Sequence, residues 1–381
     1  MNDSEARFKK KLLIVSFTNA ARDPRVWRQA NYLRSDYQVS VAGLGDPGLE
    51  NVEWLPVDRI PPHNFLHRCW RAGTLLAGYS APFLSRFALR NAKNAHARRF
   101  DVVLINDVEP LAMGFALAKG APVVFDAHEF YPRNHEESLF WRIFHKRHVA
   151  RLCSGFIPRC SAMTTVSPGL AEAYAREYDV APQIIYSAPP RLDIASQPPV
   201  AGRIKLIHHG GASSGRKIED MIRMMDLLDS RFSLDLMLVG KGEYYSKLQA
   251  LAARRPNVGW CDPVPMPEIS KVISTYDMGL YLMPDTNFNH RVAIPNKLFE
   301  FIQARLAIAV SPIQGMADIV RQHELGVVSQ DFSPESMARA LNSLVADDFA
   351  RFKQNAVQAA TEFTAENEMD KLRKLLGSLV H

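Results

Sequence analysis

The chain has 381 residues, of which 47% are hydrophobic and 23% charged, and its formal net charge at pH 7 is +6. This length is large for one hydrophobic core and fits two domains of about 190 residues each. No run of 18 uncharged apolar residues occurs, which excludes a membrane-spanning helix, and the apolar run near the N-terminus is too short for a signal peptide. The four cysteines lack metal-binding spacing, so we expect free thiols and a cytoplasmic protein.

Short apolar segments alternate with longer helical patterns in the first half of the chain, which predicts a parallel α/β domain. The predicted strands are 11–17, 38–43, 52–57, 101–107, 122–128 and 162–167. The predicted helices are 23–34, about 109–119 and 168–178. We therefore expect an N-terminal Rossmann-like domain over residues 1–190.

Two segments of this half are basic, with aromatic or aliphatic residues interleaved and no Asp or Glu: residues 61–100 and 141–152. Basic segments with apolar residues at helical spacing are typical of contact with an anionic bilayer surface. A helical face packed on its own domain, with solvated arginines, explains the same pattern. Nucleic acid would be a third partner, but no nucleic-acid motif accompanies the charge, and we expect none to bind.

Residues 187–202 hold four prolines and show no helical or strand period, which predicts a linker. The α/β pattern then resumes and predicts a second domain over 203–360, followed by a C-terminal helix within 361–381 whose packing partner is left open. The predicted strands are 203–210, 233–242, 257–260, 278–284, 307–312 and 326–329. The predicted helices include those starting near 217, 267, 295 and 334. Two doubly wound domains of this kind bind ligands outside the carboxyl ends of their strands.

A glycine-rich loop follows the first strand of the second domain. Gly210 and Gly211 end that strand, and Arg216 and Lys217 precede the next helix. A strand, a glycine loop and a helix start together favour a phosphate held on backbone N–H groups, with Arg and Lys adding charge. Gly240 opens a similar loop after the next strand. A surface turn with two solvated cations remains the alternative, because the spacing fits neither the dinucleotide fingerprint nor the Walker A motif.

The segment RVAIPNKLFE, residues 291–300, places a cation where the helix start disfavours one. Pro295 predicts the first residue of a helix, and Lys297 then falls in the first turn, where Asp or Glu is favoured. Either an anion binds at this helix start, or Lys297 pairs with Glu300 one turn later.

Taken in order, these motifs resemble the GT-B-fold glycosyltransferases of the large retaining family 4, also called group 1. The resemblance lies in LVGKGE, NVGWCDPVP and IPNKLFEFIQARLAIAVSP in the second half, and in ARDPRVWRQANYL, LINDVEP and VVFDAHEF in the first. It implies two Rossmann-like domains facing a central cleft. It also implies transfer of a hexose from a UDP- or GDP-linked sugar to an acceptor hydroxyl, without another cofactor or a metal, in bacterial cell-surface polysaccharide or glycolipid assembly. The basic first domain suggests a lipid-linked or glycan acceptor presented at a membrane.

The resemblance assigns roles by position. Glu300 falls where the family binds the ribose hydroxyls of the nucleotide. The positions expected to contact the donor diphosphate are Gly210, Gly211, Arg216, Lys217, Gly240, Ala293, Ile294, Asn296 and Lys297. His128 matches a histidine that reaches the transferred sugar, and His128, Arg216 and Lys217 are the expected catalytic residues. Asp23 and Arg25 fall in a loop near donor and acceptor.

One departure from the family pattern concerns the donor sugar. The family places a second glutamate eight positions before Glu300, where this chain has Val292. The stereochemical outcome is therefore open, and a non-catalytic nucleotide-sugar-binding component or a GT-B nucleotide-sugar epimerase remain alternatives. Asp107 and Asp126 are isolated acids rather than a metal-binding cluster, so no metal site is expected.

Overall fold

The computed structural model describes residues 9–57, 93–198 and 202–380. Most of the basic segment 61–100 therefore lies outside the described residues. The chain forms two compact units: Met1–Ile185 together with Met369–His381, and Tyr186–Glu368. Within the described residues, no helix combines the length and apolar character that crossing a bilayer requires.

The first unit contains a sheet of parallel strands in the order β3-β2-β1-β4-β5-β6-β7. The strands are β1 (Lys10–Val15), β2 (Tyr37–Gly43), β3 (Val52–Pro56), β4 (Val102–Asn106), β5 (Val123–Ala127), β6 (Ala162–Thr165) and β7 (Gln183–Ile184). The α-helices are Pro24–Leu33, Lys93–His96, Leu111–Ala118, Leu139–Phe144, Lys146–Phe156, Pro168–Tyr178 and Ala365–Leu379. All six predicted strands are present. They could be predicted because central parallel strands are buried on both faces and appear in sequence as continuous apolar runs. The two-residue strand β7 has no such signal.

The C-terminal helix Ala365–Leu379 returns to the first unit. Its Met369, Leu372 and Leu376 are buried in the same cluster as strand residues of β1, β2 and β4. Arg373 adds an ion pair to Asp36, with 2.9 Å between Nε and Oδ2. The sequence left the partner of this helix open, because an amphipathic helix at a chain end carries no information about which domain it covers.

The second unit repeats the same topology, in the order β10-β9-β8-β11-β12-β13. The strands are β8 (Ile204–Gly211), β9 (Phe232–Val239), β10 (Val258–Trp260), β11 (Met278–Tyr281), β12 (Ala307–Val310) and β13 (Gly326–Val328). The α-helices are Ile218–Met224, Glu243–Ala252, Ile269–Ile273, Phe288–Arg291, Asn296–Gln303, Gln314–Gln322, Pro334–Asn342 and Ala346–Glu362. Strand order reverses between β1 and β4 in one unit and between β8 and β11 in the other. In open α/β sheets, ligands bind at the carboxyl ends of the strands at such reversals.

The proline-rich segment has neither helix nor strand over residues 187–198, and it is bound to the second unit. Arg305 Nη2 donates to the Leu192 carbonyl at 2.8 Å, and Leu192 N–H donates to Gln303 Oε1 at 3.1 Å. The Ala365 N–H donates to the Pro189 carbonyl at 2.8 Å. These bonds fix a segment whose composition alone indicates a flexible connection.

The predicted start of the Asn296–Gln303 helix is wrong by one position. Pro295 is the N-cap, with φ −74° and an extended ψ of 151°, and Asn296 is the first helical residue. The proline ring fixes φ at a value that suits both positions, and only ψ distinguishes them. Lys297 therefore occupies the second helical position, still within the first turn.

Candidate active-site residues

His128 lies between two carboxylates at the end of β5. Its Nδ1 lies 3.1 Å from Asp107 Oδ1, and its Nε2 lies 3.2 Å from Asp126 Oδ2. Both ring nitrogens therefore face acceptors, an arrangement that favours the doubly protonated imidazolium. Burial alone would lower the pKa of His128, but Asp107 and Asp126 together raise it to about 10. The side chain keeps 23% of its surface exposed.

Asp126 is anchored beneath the histidine by Arg25. The buried guanidinium donates to both carboxylate oxygens, with Nη2 at 2.7 Å from Oδ1, in a bidentate pair. Gln29 Nε2 and Thr164 Oγ1 add donors at 2.7 Å each. Burial would raise the pKa of Asp126, but Arg25 and His128 hold it well below its usual range. Arg25 thus positions Asp126, whereas its predicted contact with the acceptor stays a prediction.

Asp107 is the partly exposed member of this cluster. It follows β4 with φ +67°, in the left-handed region that Asp tolerates better than most residues. The Tyr131 hydroxyl donates to the same Oδ1 that faces His128. Burial would raise the pKa of Asp107, but His128 and Tyr131 lower it. Asp107 is therefore a preorganised hydrogen-bond acceptor at the point where strand order reverses.

Sequence reasoning considered Asp107 and Asp126 only as metal ligands and missed the cluster. The available signal was that LIND and FDAH end two strands that both precede helical patterns. Because β4 and β5 are neighbours, these polar ends meet at one edge of the sheet. Among the described residues, no group of three or more His, Cys, Asp or Glu side chains is placed to hold a metal ion.

Asp23 acts as the N-cap of the Pro24–Leu33 helix. Its Oδ1 accepts from the backbone N–H groups of Arg25 and Val26, at 3.0 and 3.2 Å. Thr18 Oγ1 donates to its Oδ2 at 2.8 Å. These bonds satisfy N–H groups that a helix start leaves open and fix the turn from which Arg25 reaches Asp126. A contact of Asp23 with substrate stays a prediction.

In the second unit, the structure brings Gly210, Arg216 and Lys297 together at the end of β8. Gly210 has φ +124°, and a Cβ there would lie 3.2 Å from Lys297 Nζ and 3.6 Å from Arg216 Nη1. Arg216 Nη1 also donates to the Gly211 carbonyl at 3.2 Å. Glycine is required here both for the backbone conformation and for the approach of two cations. We call these four residues the cation cluster.

Lys297 is buried in this cluster. Its Nζ lies 4.1 Å from the centre of the Tyr281 ring, in a cation–π contact. Among the residues that the structure describes, Lys297 forms no salt bridge, so the predicted Lys297–Glu300 pair is an electrostatic interaction and not a direct ion pair. Burial, and then Arg216, lower the pKa of Lys297 to about 7, against a smaller opposing effect of Glu300. Burial and mutual repulsion disfavour the charged form of Lys297 beside Arg216, and a bound anion would relieve this cost, so the two side chains form a site suited to an anion.

Glu300 lies three residues further along the helix, beside His209. Its Oε2 is 3.4 Å from His209 Nε2, and its side chain is mostly buried. Burial, with Lys297 and Arg216 nearby, lowers the pKa of His209 to about 3, so the ring is neutral. Glu300 therefore places a hydrogen-bond acceptor at the edge of the cation cluster.

The remaining predicted donor residues lie on the surrounding loops. Lys217 is exposed, with φ +46°, and the contacts of the cation cluster involve Arg216 instead. The Ala293 N–H donates to the His290 carbonyl at 3.3 Å, while Ile294 is buried and Asn296 half-buried. A Cβ on Gly240 would meet Tyr245 at 2.8 Å, so packing alone requires this glycine. Their contacts with a donor stay predictions.

Two family models match the chain, one in each half. Residues 25–195 match the family described as Glycosyltransferase Family 4, and residues 203–347 match Glycosyl transferases group 1. The chain belongs to the GT-B-fold glycosyltransferases. The predicted recognition is confirmed, and so is the activity class. Comparison with curated protein sequences finds no match.

Solved structures with the same fold cover almost the whole glycosyltransferase. Anabaena Alr3699/HepE in complex with UDP has a TM-score of 0.69 at 14% identity, covering 97% of this chain and 100% of the other. WaaG, described as a glycosyltransferase involved in lipopolysaccharide biosynthesis, has a TM-score of 0.65 at 16% identity, covering 96% and 99%. An α,α-trehalose-phosphate synthase (UDP-forming) from Burkholderia vietnamiensis has a TM-score of 0.69 at 11% identity, covering 97% and 98%. At these identities the similarity establishes the fold, and the predicted GT-B fold is confirmed.

Proposed function

We propose that this glycosyltransferase binds the diphosphate of a nucleotide sugar at the cation cluster and transfers the sugar to an acceptor hydroxyl. The observation that carries the proposal is the approach of Lys297 and Arg216 to Gly210, with no carboxylate of the described residues salt-bridged to Lys297. Negative charge develops on the leaving diphosphate during transfer, so fixed cations at that position stabilise the transition state more than the ground state.

Glu300 is proposed to accept hydrogen bonds from the ribose hydroxyls. Its Oε2 lies 3.4 Å from Nε2 of the neutral His209 ring, and it follows Lys297 by three residues on the same helix. It can accept from a diol, while Lys297, one turn earlier in the helix, and Arg216 donate to the diphosphate. This division of roles requires a cation at position 297 and an acid one turn later, at position 300.

The cluster around His128 is proposed to recognise sugar hydroxyls rather than to remove a proton. A histidine with a pKa near 10 is already protonated at neutral pH and cannot act as a general base. Its positive charge instead fixes Asp107, whose partly exposed carboxylate can accept a hydroxyl of the acceptor or of the transferred sugar. No covalent protein intermediate is required in this proposal.

For the donor we propose a UDP-linked sugar, with a GDP-linked sugar as the second choice, and no cofactor or metal besides it. HepE was solved with UDP and with UDP-glucose, and the Burkholderia enzyme is named UDP-forming, which supports uracil as the base. The biosynthetic context of WaaG supports a lipid-linked or glycan acceptor in bacterial surface-polysaccharide assembly. We further propose a retaining reaction on the cytoplasmic side of the membrane, with peripheral membrane contact.

A thermal-shift panel of UDP, GDP, ADP and dTDP, each at several concentrations, tests the donor proposal. We expect UDP to raise the melting temperature most, since ligands that bind only the folded state stabilise it by mass action. Incubation with the matching nucleotide sugars and release of the free nucleotide then measures transfer or hydrolysis. Stabilisation by a nucleotide without turnover of any nucleotide sugar would favour a non-catalytic binding component, the alternative that Val292 motivates. An isomer formed from the sugar nucleotide alone would indicate an epimerase.

Replacing Glu300 by alanine should weaken nucleotide diphosphate binding by about 1–3 kcal/mol, the usual effect of losing a charged hydrogen-bond acceptor. Isothermal titration with UDP measures the change. The matched control is the 2′,3′-dideoxy nucleotide, which has no ribose diol and should bind both proteins alike. Equal UDP affinity of the two proteins would exclude Glu300 from the ribose site.

A further inference from the structure

The short helix Leu139–Phe144 presents three large apolar side chains to solvent. Leu139, Phe140 and Ile143 keep 63%, 58% and 47% of their surface exposed. At 100° per residue, they occupy one side of the helix, while Trp141 points the other way and is buried. We call these three residues the apolar ridge. Single exposed apolar residues are common, but three within five positions on one helix face form a contiguous patch.

Three exposed cations flank the apolar ridge: Arg142, Lys146 and Arg147. None of them has an ion pair or hydrogen-bonded side-chain partner among the described residues. The nearest acids in sequence precede the helix, and Glu136 is already paired with Arg133 at 2.8 Å. The patch therefore combines apolar side chains with available positive charge.

The ridge is held in place by the domain beneath it. Ser138 caps the helix by accepting from the Trp141 N–H at 3.3 Å. The next helix, Lys146–Phe156, buries Val149, Leu152 and Cys153 against the first unit. One face of the basic segment 141–152 is therefore packed on the domain, as one of the two sequence interpretations expects, and the other face is exposed with its cations.

We propose that the apolar ridge inserts into the headgroup region of an anionic bilayer, with Arg142, Lys146 and Arg147 on the lipid phosphates. Apolar side chains bordered by Lys and Arg are the pattern of helices that lie in a bilayer interface. Each cation near an anionic surface strengthens partitioning by about fivefold. A second copy of the chain fits less well, because a two-fold contact through the ridge would bring the same cations of both copies together. This inference rests on the proposed function because it specifies the residues of the proposed membrane contact. Its test is independent of nucleotide binding and of sugar transfer.

Sedimentation of the full chain with vesicles tests the proposal. The vesicles are phosphatidylglycerol mixed with phosphatidylcholine, or phosphatidylcholine alone. One variant carries Leu139→Ser, Phe140→Ser and Ile143→Ser, and another carries Arg142→Gln, Lys146→Gln and Arg147→Gln. The matched control carries Val272→Ser and Phe332→Ser, which change exposed apolar residues of the second unit. Melting temperature and nucleotide affinity are measured on every protein, so that loss of folding or of the donor site is seen separately.

We expect the wild type to sediment with the anionic vesicles and weakly with the neutral ones. The serine variant should lose at least tenfold in partitioning, the glutamine variant should lose at least tenfold on anionic vesicles only, and the control should match the wild type. The proposal is overturned if the wild type does not sediment with anionic vesicles, or if the serine variant partitions like the wild type. Light scattering that shows a dimer dissociated by the serine changes, with no vesicle binding, would also overturn it and identify an interface between copies.

Discussion

Replacing Lys297 by methionine should stabilise the free protein and, in the same protein, remove most of its nucleotide affinity. Methionine fills a similar volume and packs well against the Tyr281 ring. It also removes a buried cation that lies beside Arg216 and has no salt-bridged carboxylate in the part of the chain that the structure describes. Replacing buried charges by apolar side chains of similar volume often stabilises by about 1–4 kcal/mol. Nucleotide affinity should fall by at least tenfold, since one of the two phosphate cations is gone.

The pH dependence separates this mechanism from ordinary repacking. The pKa of Lys297 is near 7 in the folded protein and about 10.4 in an unfolded chain, so between these values the unfolded state binds more protons. The contribution of Lys297 to the free energy of unfolding of the wild type therefore rises from pH 7 to pH 10. The advantage of the methionine variant should be largest at pH 7 and below, and should vanish towards pH 10. Melting temperatures across this range measure it.

Lys353 provides the matched control. It is also a buried lysine of the second unit, but its Nζ lies 3.6 Å from Asp277 and donates to the Tyr276 carbonyl at 2.9 Å. Lys353→Met should destabilise the protein, because it leaves the buried Asp277 carboxylate unpaired. A methionine at 297 that destabilised the protein as much as one at 353, or that bound UDP like the wild type, would contradict the assignment of Lys297 to an anion site.

Nucleotide binding should itself take up a proton above neutral pH. An anion beside Lys297 favours its charged form and raises its pKa, so binding at pH 8 must protonate the amine. UDP affinity should therefore decline by up to tenfold per pH unit above pH 7, and the decline should be absent in the methionine variant. Isothermal titration in two buffers of different ionisation enthalpy counts the protons directly.

The residues of the cation cluster could be predicted from the sequence because each of them is marked by its immediate neighbours in the chain. Gly210 and Gly211 end an apolar strand, and Lys297 is a cation at a helix start that a proline marks. Parallel strands buried on both faces leave their polar residues at the strand ends, so three such ends in neighbouring strands indicate one edge of a sheet. The predicted helix start at Pro295 was wrong by one residue because it depends on the ψ angle, which the type of side chain does not determine.

The cluster around His128 was not within reach, because its bonds join residues distant in sequence. Arg25 and Asp126 are 101 positions apart, and their contact depends on the placement of β1, β4 and β5 in the sheet. The family resemblance placed Arg25 in a loop near donor and acceptor, and nothing local in the sequence indicates that its side chain is buried against Asp126. The exposure of Leu139, Phe140 and Ile143 was equally invisible, since a run of apolar residues in sequence normally indicates burial.

Replacing either member of the Arg25–Asp126 pair should destabilise the first unit strongly. Asp126→Leu leaves a buried guanidinium without its counter-charge, and Arg25→Met leaves a buried carboxylate without its bidentate partner. Removing one partner of a buried ion pair typically costs about 3–5 kcal/mol. The double replacement Arg25→Met with Asp126→Leu should cost much less than the sum of the two single replacements, which urea denaturation of the four proteins measures as a coupling energy.

The pKa of His128 shows whether the Arg25–Asp126 pair also influences the cluster around His128. Its pKa is raised to about 10, above the unfolded value, so its contribution to stability is complete below pH 6.5 and is lost as pH rises towards 10. In the double variant Asp126 no longer faces the ring, so the pKa of His128 should fall and the imidazole resonances should titrate at lower pH by NMR.

Transfer activity should then be reduced even where the double variant recovers its stability, because Asp107 loses the fixed positive charge that orients it. Activity that followed stability alone would mean that the pair holds the fold and leaves the chemistry untouched. An imidazole that titrated near pH 6.5 in the wild type would remove the charged histidine from the mechanism. The two outcomes are distinguishable because the first is measured by the rate of nucleotide release and the second by the titration of one ring.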